Sequence, residues 1–273
     1  IEEDAFIVGT ICRNQKRKLI PELFEAFGKF VKKLHAENHP QAAKTYLHVH
    51  TSYPDAGWDI PLYLKEYEIG NRVRFTYSCK VCGFYQSSIF KHPSAFCPKC
   101  GNKSLSMPNV ANGLSQQDLN IVINLFDFYV QYAICEGFGM PQVEASSAGV
   151  PVASVDYSAM QDVVNKLNGY PIRVNQYFRE LETKAIRVYP DNEHLVEILS
   201  EYINMPEMLK ESKKFETRQN TEKYYNWDNI AKKWEKYLDN VELTGLQGQW
   251  QVPLSPLAEA SEDALPENIS AYD

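Results

Sequence analysis

The 273-residue sequence predicts an α/β fold built on a parallel sheet, and three observations carry that prediction. An apolar run, Phe126-Asp127-Phe128-Tyr129-Val130, is followed by the glycine-bearing turn Cys135-Glu136-Gly137-Phe138-Gly139-Met140. A helix-like segment, Glu144 to Ala148, comes next and is closed by Gly149 and Pro151. A second apolar run, Val152-Ala153-Ser154-Val155, follows at once. Strand, turn, helix and strand in that order build a parallel sheet, whose ligands sit at the carboxyl ends of the strands. Gly137 and Gly139 let backbone N–H groups face outward at a helix N-terminus, where orphan donors and the helix dipole favour a phosphate. Glu136 and Glu144 flank the turn. Carboxylates beside a phosphate site are costly unless they accept hydroxyl donors, so sugar hydroxyls are the chemistry to look for.

The first forty residues repeat the theme. Ala5 to Cys12 reads as a buried strand. The polar loop Arg13-Asn14-Gln15-Lys16-Arg17-Lys18 is either a solvated turn or a clamp for a diphosphate. From Leu19 to Leu34 the apolar positions recur at three- and four-residue spacing, with Pro21 near the start, which predicts an amphipathic helix. Thr45 to Thr51 is the second strand. Its alternation puts Leu47 and Val49 on one face and His48 and His50 on the other. With no third ligand near, the two histidines read as hydrogen-bonded strand residues. Ile60 to Tyr67 is a short helix with Asp59 as N-cap, and Val73 to Tyr77 is the third strand.

Two knuckles interrupt the pattern, Cys79-Lys80-Val81-Cys82-Gly83 and Cys97-Pro98-Lys99-Cys100-Gly101. Each places two thiolates on one tight turn, and together Cys79, Cys82, Cys97 and Cys100 make a closed four-sulfur site for structural zinc. Phe84, Tyr85, Ile89, Phe90 and Phe96 are expected to form a small core for the ribbon. The remaining two of the six cysteines, Cys12 and Cys135, read as small buried hydrophobes.

Past the ribbon, Asn112 to Leu125 reads as a helix with Ser115 as N-cap and Asp118 three residues on. Asp156 to Val164 leads into another helix. Ile186 to Asp191 is a late strand and turn, followed by a helix from Leu195 to Ile203. Trp227, Ile230, Ala231, Trp234 and Leu238 form one stripe of a last helix. Residues 244–273 read as a flexible acidic tail: Glu259, Glu262, Asp263, Glu267 and Asp273 lie there with no Lys or Arg, which leaves the body only −2 of the net −7. That balance argues against nucleic-acid binding driven by net charge. No apolar run reaches the ~18–20 residues of a membrane span, and the start, Ile1-Glu2-Glu3-Asp4, lacks the basic region of a signal peptide. A cytoplasmic fragment or trimmed chain is the expectation.

The run Glu136-Gly-Phe-Gly-Met-Pro-Gln-Val-Glu144-Ala, followed by Gly149-Val150-Pro151-Val152, resembles the Glu-x7-Glu signature of retaining glycosyltransferases of the GT-B fold, family 4 (group 1). The resemblance covers roughly residues 5–75 and 107–240. It implies a Rossmann-like parallel sheet with helices on both faces, the C-terminal, donor-binding half of a GT-B enzyme. The domains are then 1–75 with 107–243, an inserted zinc ribbon at 76–106, and the tail at 244–273. The resemblance also implies a nucleotide-diphospho-sugar donor, no catalytic metal, and an N-terminal Rossmann-like domain supplying most acceptor contacts. Glu136 would face the donor sugar and Glu144 would accept ribose hydroxyls. Backbone N–H groups of Gly137, Phe138, Gly139 and Met140 would hold phosphate. Arg13 and Lys18 match the two cations that meet the donor's phosphates, with Arg17 as the alternative to Lys18 because the register can slip by one. The last helix either crosses back to the N-terminal domain or packs on this one. A different class of function, a non-catalytic module whose ribbon docks a protein or nucleic acid, is the alternative.

Overall fold

In a computed structural model, residues 2–91 and 94–242 can be described. The acidic tail assigned to residues 244–273 lies outside them. The chain divides into two compact units, Ile1–Asn226 and Trp227–Asp273.

The first unit is built on one sheet in the order β4-β3-β2-β1-β6-β7-β8. Strands β1 (Phe6–Ile11), β2 (Thr45–His50), β3 (Val73–Cys79), β6 (Phe128–Gln131), β7 (Val152–Val155) and β8 (Tyr170–Ile172) are parallel throughout. Alternation sorts their side chains. Phe6, Val8, Phe128 and Val130 enter one core with α1 (Ile20–Ala36), α2 (Ile60–Glu66) and α6 (Asn192–Ile203). Ile7, Ile11 and Tyr129 enter the other, with α3 (Gln116–Ile123), α4 (Met140–Ser147) and α5 (Ser158–Lys166). Gly9 has no room for a side chain, because a Cβ there would stand 2.2 Å from the Phe126 ring. α7 (Glu207–Tyr224) closes the unit against α4, where Ser146 and Thr221 hydroxyls meet at 2.7 Å.

The ribbon is an extension of this sheet. β3 runs two residues past Tyr77 to Cys79, the first thiol. β4 (Tyr85–Ser88) and β5 (Leu105–Ser106) both pair antiparallel with it. Phe84 and Phe90 pack on the main core, whereas Ile89 and Phe96 are exposed. The separate ribbon core expected from the sequence is therefore replaced by burial against the sheet that β3 already belongs to.

Other boundaries move for local reasons. α3 starts at Gln116, with the Ser115 hydroxyl accepting from the Asp118 N–H at 3.1 Å, so the cap stands but residues 112–114 are outside the helix. Asp59 sits at the N-cap of α2 without a side-chain cap bond. α4 begins at Met140 rather than Glu144, because Gly139 turns left-handed (φ +83°) and Pro141 suits a first turn. The late strand expected from Ile186 is β10 (Ile186–Pro190), whereas its antiparallel partner β9 (Val174–Arg179), β8 and α7 were not expected.

In the second unit α8 (Trp227–Asn240) is amphipathic and has no buried residue. Among the described residues no helix is long and apolar enough to cross a membrane.

His48 and His50 both contact the Thr76 hydroxyl, at 2.9 and 3.1 Å, and His48 also meets Ser87 at 3.3 Å. They are hydrogen-bonded strand residues, as the alternation suggested. Burial pushes His48 down to about 3 and His50 to about 4. Both rings are neutral when folded, and the unfolded chain binds more protons once the pH falls below about 6.5. Stability should therefore drop as pH falls through that value, by roughly 3–4 kcal/mol for the pair between about pH 7 and pH 5. Urea unfolding across that range checks it, and a His50→Asn variant should show about half the loss.

Candidate functional site

The strand order reverses between β1 and β6, since β2 and β3 lie to one side of β1 and β7 and β8 lie beyond β6. Such a reversal opens a crevice at the carboxyl edge, where α/β sheets bind ligands. The β1–α1 loop, the end of β2 and the β6–α4 turn all reach it.

The β1–α1 loop is tightly built. Lys16–Lys18 form one 3-10 turn, and Leu19 is left-handed (φ 47°) where the chain enters α1. Asn14 is fully buried. Its side-chain amide donates to the Trp58 carbonyl and accepts from the Trp58 N–H, both at 2.9 Å. The Trp58 indole N–H donates to the Lys16 carbonyl at 3.0 Å. The β2–α2 loop thus braces the cationic one.

Lys18 and Arg17 converge on Glu136. Lys18 is in direct contact with the Glu136 carboxylate, and the two side chains are 9% and 8% exposed. Arg17 donates to the other carboxylate oxygen at 2.9 Å. Gln131 adds a bond at 3.2 Å and is itself held by the Tyr129 hydroxyl at 2.7 Å. The Glu136 backbone N–H donates to Ser158 Oγ at 3.1 Å. Arg13 stands apart: its guanidinium binds Asp55 through two bonds, at 2.9 and 3.0 Å. That pairing holds the Asp55 carboxyl well below the usual range. Of the two readings for the second cation, the structure brings both Lys18 and Arg17 to the same carboxylate.

A cavity of about 440 Å³ lies beside this cluster. Arg13, Arg17 and Lys18 line it from the β1–α1 loop, His50 from the end of β2, Thr51 just after it, and Pro141 from α4. Pro108, Asn109 and Val110, just past the ribbon, form its far wall. Thr51 Oγ1 is buried there without a protein partner. Cys12 also lines the cavity, and burial pushes its thiol up to about 11, so it is a protonated hydrophobe rather than a nucleophile.

The N-terminus of α4 opens beside Pro141. No acceptor among the described residues takes the N–H groups of Phe138, Gly139 or Met140. Gly137 is exposed with open space where a side chain would sit. Glu144 lies one turn into α4, half-buried, and burial raises its carboxyl pKa. It has no ion-pair partner among the described residues and does not itself line the cavity. Asp162 is an exposed helix carboxylate paired with Lys166 at 2.7 Å.

The four knuckle thiols stand within 4.8 Å of one another. Cys79–Cys100 and Cys82–Cys97 sulfur distances are both 3.7 Å. Four sulfurs at ~2.3 Å from one ion would be about 3.8 Å apart, so the cluster fits a tetrahedral metal. Gly83 and Gly101, at φ +70° and +73°, let the two knuckles turn back in the same way. The Ser104 hydroxyl, 2.9 Å from Cys79, lowers that thiol to about 6.

Gln131, Ser158, Asn14 and Trp58 were not singled out from sequence. Gln131 carried a signal, a lone amide ending an otherwise apolar strand.

Residues 106–216 match the profile described as Glycosyl transferases group 1. The match runs from β5 into α7. Among solved structures, the sucrose-phosphate synthase of Thermosynechococcus elongatus superposes with a TM-score of 0.59 at 17% identity, over 88% of this chain and 46% of that one. Anabaena HepE, solved with UDP and glucose, gives 0.54 at 15% identity, over 87% and 49%. The C-terminal domain of a group 1 glycosyl transferase (LpcC) from Francisella tularensis gives 0.51 at 15% identity, over 81% and 87%. The fold is therefore that of a GT-B domain, and the chain spans about half the length of the first two. No curated protein matches the sequence.

Removing one member of the buried cation–carboxylate cluster should be more harmful than removing the pair. Lys18→Met is expected to cost about 3 kcal/mol in urea unfolding, and adding Glu136→Gln should recover a large part of it.

Proposed function

We propose that this chain is the donor-binding domain of a retaining glycosyltransferase that moves a sugar from a nucleotide-diphospho-sugar to an acceptor. The observation that carries the reading is the meeting of Lys18, Arg17 and the N-terminus of α4 at the strand-order reversal. Anabaena HepE, solved with UDP and glucose, supports the donor class.

In this reading the diphosphate lies against the N–H groups of Phe138, Gly139 and Met140 at the start of α4. Lys18 and Arg17 stand beside it, and Arg13 closes from the rim once it releases Asp55. Negative charge builds on the diphosphate as the glycosidic bond breaks, and fixed cations stabilise that charge in the transition state. Glu136 would repel the same phosphates if it were bare. Held by two cations and Gln131, it orders Lys18 and Arg17 and faces the donor sugar. Glu144 accepts the ribose hydroxyls, for which a desolvated, unpaired carboxylate is suited. The stretch Pro108 to Val110 walls the base. An N-terminal Rossmann-like domain supplies the acceptor side, and the present chain alone is expected to show no transfer. The four-cysteine site holds structural zinc. Its closed sulfur set leaves no position for a water nucleophile, so the metal serves the fold.

Two measurements test this. Thermal denaturation with UDP, GDP, ADP and TDP should show stabilisation by one of them, about 2.7 kcal/mol at 100 Kd, abolished in Glu144→Ala. No shift with any nucleotide would sink the donor reading. The purified chain should carry one zinc per molecule by elemental analysis. Stripping it should lower the melting temperature, and a chain that folds equally well without metal would refute the structural role.

A further inference from the structure

A second groove adjoins the donor cavity, and the two share Gln15 and Arg17. Its volume is about 730 Å³. One wall is the pair of braced loops, contributing Lys16, Ala56 and Trp58, with Leu19 and Ile134 as floor. The other wall is the β9–β10 hairpin, contributing Phe178, Tyr189 and the segment Arg179 to Glu182.

Both walls are held in place. Trp58 is fixed by its three hydrogen bonds to Asn14 and Lys16. The hairpin is anchored by fully buried Val188, whose N–H reaches the Ile134 carbonyl at 3.4 Å. The Tyr157 hydroxyl donates to the Ile186 carbonyl at 2.7 Å. Phe178 and Tyr189 stack across the two strands, with centroids 4.8 Å apart and planes 25° from parallel. Arg187 pairs with Glu180 at 3.0 Å and stiffens the turn. Glu182 and Lys16 have no ion-pair partner among the described residues, so their heads are available at the groove's edge.

That combination has a definite chemistry. Rigid aromatic side chains on opposite walls offer apolar surface at little entropic cost, and charged heads at the rim offer hydrogen bonds. A sugar ring is the complementary object, with an apolar C–H face and an equator of hydroxyls. A lipid tail would leave the charged rim without partners. We propose that this groove binds a saccharide that serves as the acceptor, laid across Arg17 from the donor diphosphate. The proposal rests on the donor reading above and adds that the β9–β10 hairpin, within this domain, takes part in acceptor recognition.

The test is a titration of the isotope-labelled chain followed by NMR, with maltose, sucrose and N-acetylglucosamine disaccharide as probes and UDP in a parallel series. The disaccharides should shift the Trp58 indole and Leu181 methyl signals with millimolar affinity. Tyr189→Ala should weaken that response by about tenfold or more while leaving UDP-induced shifts at Val110 and Met140 intact, which also shows that the variant is folded. If UDP acts at Val110 and Met140 but no disaccharide moves Trp58, the groove assignment fails and the donor reading stands. Trp58 shifts that persist unchanged in Tyr189→Ala also overturn it. If disaccharides act and UDP does not, the donor reading fails and the acceptor role falls with it.

Discussion

The carboxyl edge of this domain depends on one ion cluster, buried Glu136 and Lys18 with the more exposed Arg17. Two charged side chains less than a tenth exposed are expensive to desolvate, and such a pair persists only where every partner is supplied. Here Gln131 completes the carboxylate's bonds and Tyr129 fixes Gln131. The cluster joins the loop after β1 to the turn after β6. A backbone bond from the Ile134 N–H to the Arg17 carbonyl, at 2.9 Å, runs parallel to it. Because both segments are pinned to each other, the N-terminus of α4 and the cationic loop face the same space. The placement of the cavity's cations and its shape thus come from the same contacts.

The ribbon contributes to that space less directly. Its first thiol ends β3, and β5 returns along the same strand. The chain then passes Met107, which is buried, before Pro108, Asn109 and Val110 wall the cavity. The Asn112 side chain ties this stretch to Ser78 Oγ at 3.1 Å, next to Cys79. The knuckles therefore set where the wall stands, although no thiol reaches the cavity. A segment that continues the sheet is cheaper than one with its own core, because its apolar residues use a surface already formed.

The hairpin β9–β10 is the second element that shapes the edge. It pairs only with itself, so its stability comes from Val188 in the core and from the Tyr157 contact rather than from the main sheet. Its two faces differ: Phe178 and Tyr189 stack over the groove, while Tyr177 packs edge-on against Tyr157.

Much of this was legible in the sequence where the signal is local. The parallel alternation of strands, the Ser115 cap, the glycine turn and the paired knuckles each depend on residues a few positions apart, and each sits where the pattern put it. Of the hairpin, β9 was missed because Val174 to Arg179 is only partly buried and lacks a clean alternation, and α7 was missed because its apolar stripe is weak. Tertiary structure alone decided which cation meets which carboxylate. Charge and spacing left Lys18 and Arg17 as alternatives for one role beside Arg13. The 3-10 turn and the left-handed Leu19 rotate Arg17 and Lys18 toward Glu136, over a hundred residues away, and leave Arg13 to Asp55. The sequence by itself determined the kinds of groups at this edge, because backbone pattern and metal spacing are short-range. Their partners were decided only by the fold, because charge pairing depends on distances that exist once β1 and β6 lie side by side.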